Sequence, residues 1–291
     1  MRAYLPAYEM IVPRTLDEAL ALLREEPGAW RPFAGGTDLM VLLEAGRLEH
    51  RKFFSIRHLK ELRGVEESGG VVRVGALTTY TDVRRSELLG RHFPMLGQAA
   101  RETGGIAIQN RGTVGGNIAN ASPAADTPPA LLAYDAEVEL VSAEGTRRVT
   151  YAEFHTGYKQ TVMREDELIV AVLLPVPREG ARHFYRKVGT RRAQAISKVC
   201  FAAVAETEGE TLTEVRVALG SVAPVVLRCR RTEDLLRGRG LDGGALSAAL
   251  EEIAREVTPI DDVRSTARYR TRVAQNLLRE FLSGLRPAED S

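Results

Sequence analysis

Two pairs of adjacent glycines constrain this 291-residue chain more than any other feature of its sequence. The first pair lies in Ala34-Gly35-Gly36-Thr37-Asp38, between a short apolar segment that predicts a strand and a helix predicted from about Thr37. Adjacent glycines permit positive φ and a close approach of the backbone to a neighbour. Unpaired amides at a helix start favour an anion, usually a pyrophosphate. The alternative interpretation is an ordinary turn between strand and helix.

The second pair lies in the segment GTVGGN, residues 112–117, where Thr113 and Asn117 add side chains that can form hydrogen bonds. The segment is not a Walker A loop, because no lysine follows the glycines, and it is not a Rossmann G-x-G-x-x-G sequence. Two such turns without either common nucleotide motif indicate a different dinucleotide fold.

The order of predicted elements divides the chain at a proline-containing segment, PVPREGAR, which begins at Pro175. Before it, the pattern predicts a small α/β unit, single helices over 77–89 and 93–102, a long Gly/Asn/Ser/Pro-rich loop, a hairpin around Glu144-Gly145 and an apolar strand. After it come three strands, 183–188, 199–206 and 212–219, and three helices, 232–236, 244–257 and 266–283. The order of these later elements is typical of an α+β unit.

The composition of the chain argues against several classes of function. The formal net charge is +1, which does not fit the basic stripe of a nucleic-acid binder. The chain has two cysteines, Cys200 and Cys229, and no CxxC, so it cannot by itself hold a four-thiolate iron–sulfur cluster. Neither a signal-peptide core nor a run of ~20 apolar residues is present. We therefore expect a cytoplasmic protein with no membrane span, no metal site and no nucleic-acid partner.

AGGTDL followed by QNRGTVGGNIANASPAAD resembles the FAD-binding (medium) subunit of the molybdenum hydroxylases, a family that includes xanthine dehydrogenase, carbon monoxide dehydrogenase and aldehyde oxidase. The segments EDELIVAVLLP, FYRKVGTRRAQAISKV and STARYRTRVAQNLL are also similar to their family counterparts. The resemblance therefore covers the whole chain.

The resemblance implies an α+β protein with a two-lobed FAD-binding domain over residues 1–177, of the vanillyl-alcohol-oxidase type and not a Rossmann fold. Its lobes would be about 1–57 and 58–177, the second with a mixed sheet, and FAD would lie extended between them. A C-terminal domain over residues 181–286, with a three-stranded antiparallel sheet and helices, would close over the flavin end.

The resemblance also implies which residues contact FAD. The two turns would wrap the diphosphate, while an aspartate, a lysine and two isoleucines would lie beside the flavin. Those diphosphate-binding residues are Pro32, Phe33, Ala34, Gly35, Gly36, Thr37, Asp38, Leu39, Thr113, Val114, Gly115, Gly116 and Asn117, and the flavin-contacting residues are Asp126, Ile169, Lys187 and Ile196. A cation at Lys187 would raise the flavin potential. Core packing explains the two isoleucines equally well.

The implied activity is that of an oxidoreductase component: FAD takes electrons from [2Fe–2S] clusters of a small partner subunit, in a complex whose large subunit holds molybdenum. The acceptor stays open among NAD, a quinone and another carrier, since Arg191-Arg192 leads into Ala193 without the acidic segment of xanthine dehydrogenases. Two alternatives remain: a stand-alone FAD oxidoreductase and a non-catalytic nucleotide-binding scaffold.

Overall fold

The computed structural model describes residues 7–191 and 194–285. The outer ends of the predicted domains, residues 1–6 and residue 286, lie outside this range, as do Arg192 and Ala193 of the segment after Lys187. Within the described residues, no helix is long and apolar enough to cross a membrane.

The first lobe is a three-stranded parallel sheet with two helices, as the α/β pattern predicts. Thr15 caps the first helix by accepting a hydrogen bond from the Glu18 amide, which satisfies one of the free donors of a helix start. The sheet order is β1-β3-β2. The elements are β1 (Glu9–Ile11), α1 (Leu16–Glu25), β2 (Arg31–Phe33), α2 (Leu39–Glu44) and β3 (Lys52–Ser55).

The second lobe has a five-stranded sheet, and all its strand pairs are antiparallel, so the expected mixed sheet is wrong. Its order is β4-β5-β10-β6-β7, and β8 and β9 form a separate hairpin. A 3-10 turn at Lys60–Leu62 leads into this lobe. Its strands are β4 (Val65–Ser68), β5 (Val71–Gly75), β6 (Glu137–Ser142), β7 (Gly145–Thr150), β8 (His155–Gly157), β9 (Gln160–Thr161) and β10 (Leu168–Pro175).

The helices of the second lobe depart from the predictions at two places. The single helix expected over 77–89 is two helices, because Ser86 has extended backbone and caps the next helix through the Leu89 amide. The long Gly-rich loop contains three helices of four to six residues. Helices this short depend on tertiary contacts and leave little periodic signal. The lobe's helices are α3 (Tyr80–Arg85), α4 (Glu87–His92), α5 (Pro94–Glu102), α6 (Ile106–Gln109), α7 (Val114–Ala119), α8 (Pro128–Ala133) and α9 (Tyr151–Phe154).

The C-terminal part has three long antiparallel strands and three helices, as expected, and two two-residue strands also pair with the third long strand. Its strands are β11 (Arg182–Val188), β12 (Val199–Glu208), β13 (Thr211–Gly220), β14 (Leu227–Arg228) and β15 (Arg239–Gly240). Its helices are α10 (Arg230–Leu236), α11 (Gly243–Glu256) and α12 (Ala267–Ser283).

Strand β12 is buried on both faces, which joins the C-terminal sheet to the second lobe. Cys200 and Ala202 belong to the same apolar core as α5 and α8, whereas Phe201 and Ala203 belong to the core formed with α11 and α12. This division follows from the two-residue period of a strand. The C-terminal sheet therefore shares its packing with the second lobe and holds a fixed position against it.

An ionic network reinforces this joint. The Asp135 carboxylate accepts hydrogen bonds from Arg216 at 2.9 Å and from Arg228 at 2.5 Å. Arg228 also donates to the Leu132 carbonyl and pairs with Glu233, whose side chain is 2% exposed. Burial raises the pKa of Glu233, and the adjacent Arg228 guanidinium opposes that rise.

Arg228→Met should lower the free energy of unfolding by about 3–5 kcal/mol, because it leaves Glu233 buried without its cation. The difference in free energy of unfolding between this variant and the unsubstituted protein should become smaller as pH falls. Loss of Arg228 raises the pKa of Glu233 further, and a protonated carboxyl group is buried at lower cost. Urea unfolding at several pH values measures this. Arg255→Met, which removes only exposed ion pairs on α11, should change stability by less than about 1 kcal/mol; equal effects of the two variants would contradict the network's role.

Candidate functional site

The first glycine turn connects β2 to α2 and is held by two steric constraints. Gly36 has φ +76°, and a Cβ there would lie 2.5 Å from the Phe33 ring. A Cβ on Gly35 would lie 2.0 Å from the carbonyl oxygen of Arg111, which directly precedes the second turn. The two turns, one from each lobe, are therefore in backbone contact, and only glycine permits that approach.

The first turn also presents free hydrogen-bond donors. Within residues 7–191 and 194–285, the amides of Gly35, Gly36 and Thr37 donate to no backbone or side-chain acceptor. All three residues are partly exposed, so the amides face a space that a ligand can reach. Pro32 and Phe33 end β2, Ala34 lies between β2 and the glycines, Asp38 precedes α2 and Leu39 begins it.

The second turn is built differently, because its amides already have acceptors. Val114 donates to the Thr78 carbonyl and Gly115 to the Ala76 carbonyl, each at 2.9 Å, and the Gly116 amide donates to the Thr113 hydroxyl. A Cβ on Gly115 would lie 2.6 Å from the Ala76 Cβ. This turn thus contributes a fixed shape and exposed Gly116 rather than a row of free amides.

Asn117, at the end of the second turn, carries an unsatisfied polar atom. Its Oδ1 is buried and has no hydrogen-bond partner among the described residues. A buried polar atom without a partner costs about 1–3 kcal/mol, and a ligand that donates a hydrogen bond to it would remove that cost.

Asp126 and Lys187, predicted from separate segments, form a buried ion pair with each other. Lys187 Nζ lies 2.7 Å from Asp126 Oδ2 and also donates to the Glu102 carbonyl. The two side chains are 5% and 10% exposed. Burial raises the pKa of Asp126, and the adjacent Lys187 ammonium opposes that rise. Lys187 lies on β11 of the C-terminal sheet, and Asp126 lies just before α8 of the second lobe. The pair therefore also connects the second lobe to the C-terminal sheet.

The two isoleucines lie in unlike environments. Ile169 is 6% exposed and packs in the core of the second lobe, beside the β10 bulge. The carbonyl of the next residue, Val170, accepts a hydrogen bond from the Ala76 amide. Ile196 is 54% exposed, immediately before Ser197, which donates to Asp126. The structure therefore brings Ile196, Asp126 and Lys187 together, while Ile169 lies beneath the segment that supports the second turn.

Basic residues lie around the two turns, and the sequence motifs do not predict them. A cavity of about 340 Å³ between the lobes has Gly35, Thr79 and Thr113 in its wall together with three arginines. Those arginines are Arg57, Arg63 and Arg111. Arg111 precedes the second turn in sequence, but nothing in the local pattern indicates that Arg57 and Arg63 reach the same place.

Comparison with known proteins identifies the family of the chain. The family model described as the FAD binding domain in molybdopterin dehydrogenase matches residues 6–177, and the CO dehydrogenase flavoprotein C-terminal domain matches residues 183–285. The chain is 34% identical over 273 residues to a xanthine dehydrogenase FAD-binding subunit of Escherichia coli O157:H7, covering 92% of each chain.

Two further comparisons agree. The carbon monoxide dehydrogenase medium chain of Hydrogenophaga pseudoflava is 30% identical over 278 residues, with 96% of each chain covered. A solved structure of carbon monoxide dehydrogenase from the same organism, lacking the Mo-pyranopterin moiety, superimposes with a TM-score of 0.91 at 29% identity, covering 95% of this chain and 96% of the other. The chain therefore belongs to the family of FAD-binding medium subunits of the xanthine dehydrogenase and carbon monoxide dehydrogenase type, and is an oxidoreductase component that binds FAD.

Proposed function

We propose that this chain takes electrons from [2Fe–2S] clusters of a small partner subunit, in a complex whose large subunit holds molybdenum, and passes them to an external acceptor. The proposal includes cytoplasmic residence, predicted from the N-terminal sequence, and two domains, 1–177 (lobes about 1–57 and 58–177) and 181–286. The matches of the two family models, over 6–177 and 183–285, support that division. The medium-chain names of relatives support the multi-subunit arrangement.

The proposal rests on the close approach of the two glycine turns, together with the buried Lys187–Asp126 pair. The residues present fit FAD: free amides on Gly35, Gly36 and Thr37 suit a diphosphate, and Asn117 Oδ1, which can only accept, suits a hydroxyl group of the cofactor next to the diphosphate. We assign the diphosphate to residues 32–39 and 113–117. The ring system is assigned to Asp126, Lys187 and Ile196, with Ile169 supporting it from the core.

The protein's part in the chemistry is to bind, orient and tune the cofactor. FAD, when bound, supplies two-electron redox chemistry that can also exchange single electrons. Lys187 provides positive charge near the ring, but Asp126 lies 2.7 Å away and largely compensates that charge. The pair thus acts as an oriented dipole, and the Asp126 carboxylate still has free lone pairs to accept a hydrogen bond from a ligand.

Gly35→Ala should weaken FAD binding by at least about tenfold, roughly 1.4 kcal/mol, because the new methyl group displaces the Arg111 carbonyl and shifts the free amides. FAD titration followed by flavin absorbance measures this. Gly90→Ala is the matched control, since no neighbouring atom lies within 4 Å of its Cβ. In the assembled complex, Gly35→Ala should leave substrate-driven reduction of the clusters intact and lower electron delivery to the acceptor in proportion to the FAD that is lost. Unchanged delivery without FAD would exclude the proposed electron path.

Asn117→Ala should act in opposite directions on the two states of the protein. The FAD-free protein should keep or gain stability, because a buried unsatisfied oxygen is removed, while FAD affinity should fall by about tenfold as one hydrogen bond to the cofactor is lost. Thermal unfolding and FAD titration give the two values. Asn120→Ala is the control, because Asn120 Oδ1 already accepts from Lys159. Parallel losses of stability and affinity in Asn117→Ala would show a structural role only.

A further inference from the structure

Ser197 is more deeply buried than any residue of the predicted flavin environment. Ser197 is 1% exposed, and its Oγ donates a hydrogen bond to Asp126 Oδ1 at 2.6 Å. The other carboxylate oxygen, Oδ2, accepts from Lys187. Each oxygen of Asp126 thus has one fixed donor, and the carboxylate plane cannot rotate without breaking a buried hydrogen bond.

A chain of buried groups fixes Ser197 from behind. The Ser221 hydroxyl donates to the Ser197 carbonyl at 3.0 Å, and the Ser221 amide donates to the Pro123 carbonyl. Arg270, on α12 and 4% exposed, donates to the Ser221 carbonyl at 2.8 Å. The Arg270 guanidinium is in turn paired with Asp262 at 2.7 Å. The backbone of Ser197 is therefore held, through Ser221, by a residue of α12, which lies outside the FAD-binding lobes.

We propose that Ser197 is a positioning residue that keeps the Asp126 carboxyl group oriented toward the flavin through its buried hydrogen bond, and that it holds Ile196 against the ring by fixing the chain next to it. The inference rests on the proposed function, in which Asp126 contacts the flavin. Its consequence is that the C-terminal part takes part in tuning the cofactor through a side chain that does not touch FAD.

The electrostatic surroundings of Asp126 explain why one hydroxyl has this effect. Burial raises the pKa of Asp126, and Lys187 and Ser197 oppose that rise by favouring the charged form. The other titratable groups that face Asp126 are Glu102, Tyr80, Tyr185 and Cys200. None of these four brings a positive charge, whereas Lys187 and Ser197 both favour the charged form of Asp126.

The test compares Ser197→Ala with Asp126→Asn and with a matched control, Ser142→Ala. Ser142 is also buried, at 3% exposure, and its hydroxyl accepts hydrogen bonds from the Glu144 amide and from the Arg164 side chain. It has no hydrogen bond to Asp126 among the described residues. Infrared difference spectra over a pH series follow the carboxylic-acid stretch of Asp126, assigned by its loss in Asp126→Asn. The FAD midpoint potential is measured on the FAD-loaded protein, isolated with its partner chains, over the same pH range.

Ser197→Ala should raise the pKa of Asp126 and raise the midpoint potential in the direction of Asp126→Asn, most strongly at low pH where the variant carboxyl is protonated; Ser142→Ala should change neither quantity. An unchanged Asp126 titration in Ser197→Ala overturns the proposal and leaves the proposed function intact. A shifted titration without any change of potential, while Asp126→Asn does change it, also overturns the proposal. If Asp126→Asn leaves the midpoint potential unchanged, Asp126 does not contact the flavin as assigned, and the positioning role of Ser197 is excluded as well.

Discussion

The approach of Gly35 to the Arg111 carbonyl determines how the two lobes meet. A single Cβ at this position would lie 2.0 Å from a backbone oxygen, so the spacing between the lobes depends on the absence of a side chain. That spacing brings the free amides of the first turn next to the tightly bonded second turn. The two glycine motifs look alike in sequence, but one supplies hydrogen-bond donors and the other supplies a rigid surface.

The C-terminal sheet extends the same arrangement. Its strand β12 packs on both faces, and two ionic groups lie along its joint with the second lobe, one at Lys187–Asp126 and one around Asp135. Buried charges are costly unless they are paired, so these groups specify one position for the sheet. In the proposed arrangement, the part of the chain that does not carry the glycine turns sets the environment of the flavin end.

The sequence was sufficient for most long elements, since Thr15, the β10 apolar run and the three long C-terminal strands follow local rules of capping and periodicity. The family and the fold class it implies came from the resemblance of the two glycine motifs. The sequence was insufficient where long-range contacts decide. The helices α6 to α8 are too short to show a period, and the antiparallel order of the second sheet depends on pairing between distant segments. The partnership of Asp126 with Ser197 spans 71 residues, and no local pattern indicates it. The same holds for Arg57 and Arg63, which meet Gly35 only in three dimensions.

In the proposed arrangement, FAD lies between the lobes, with its diphosphate on the first glycine turn and its ring beside Asp126 and Lys187. A crystal structure of the protein with FAD would locate both groups. We expect diphosphate oxygens within hydrogen-bond distance of the Gly35, Gly36 and Thr37 amides and a donor or acceptor of the ring system on Asp126. A diphosphate bound away from this turn, or a ring remote from the Lys187–Asp126 pair, would contradict it.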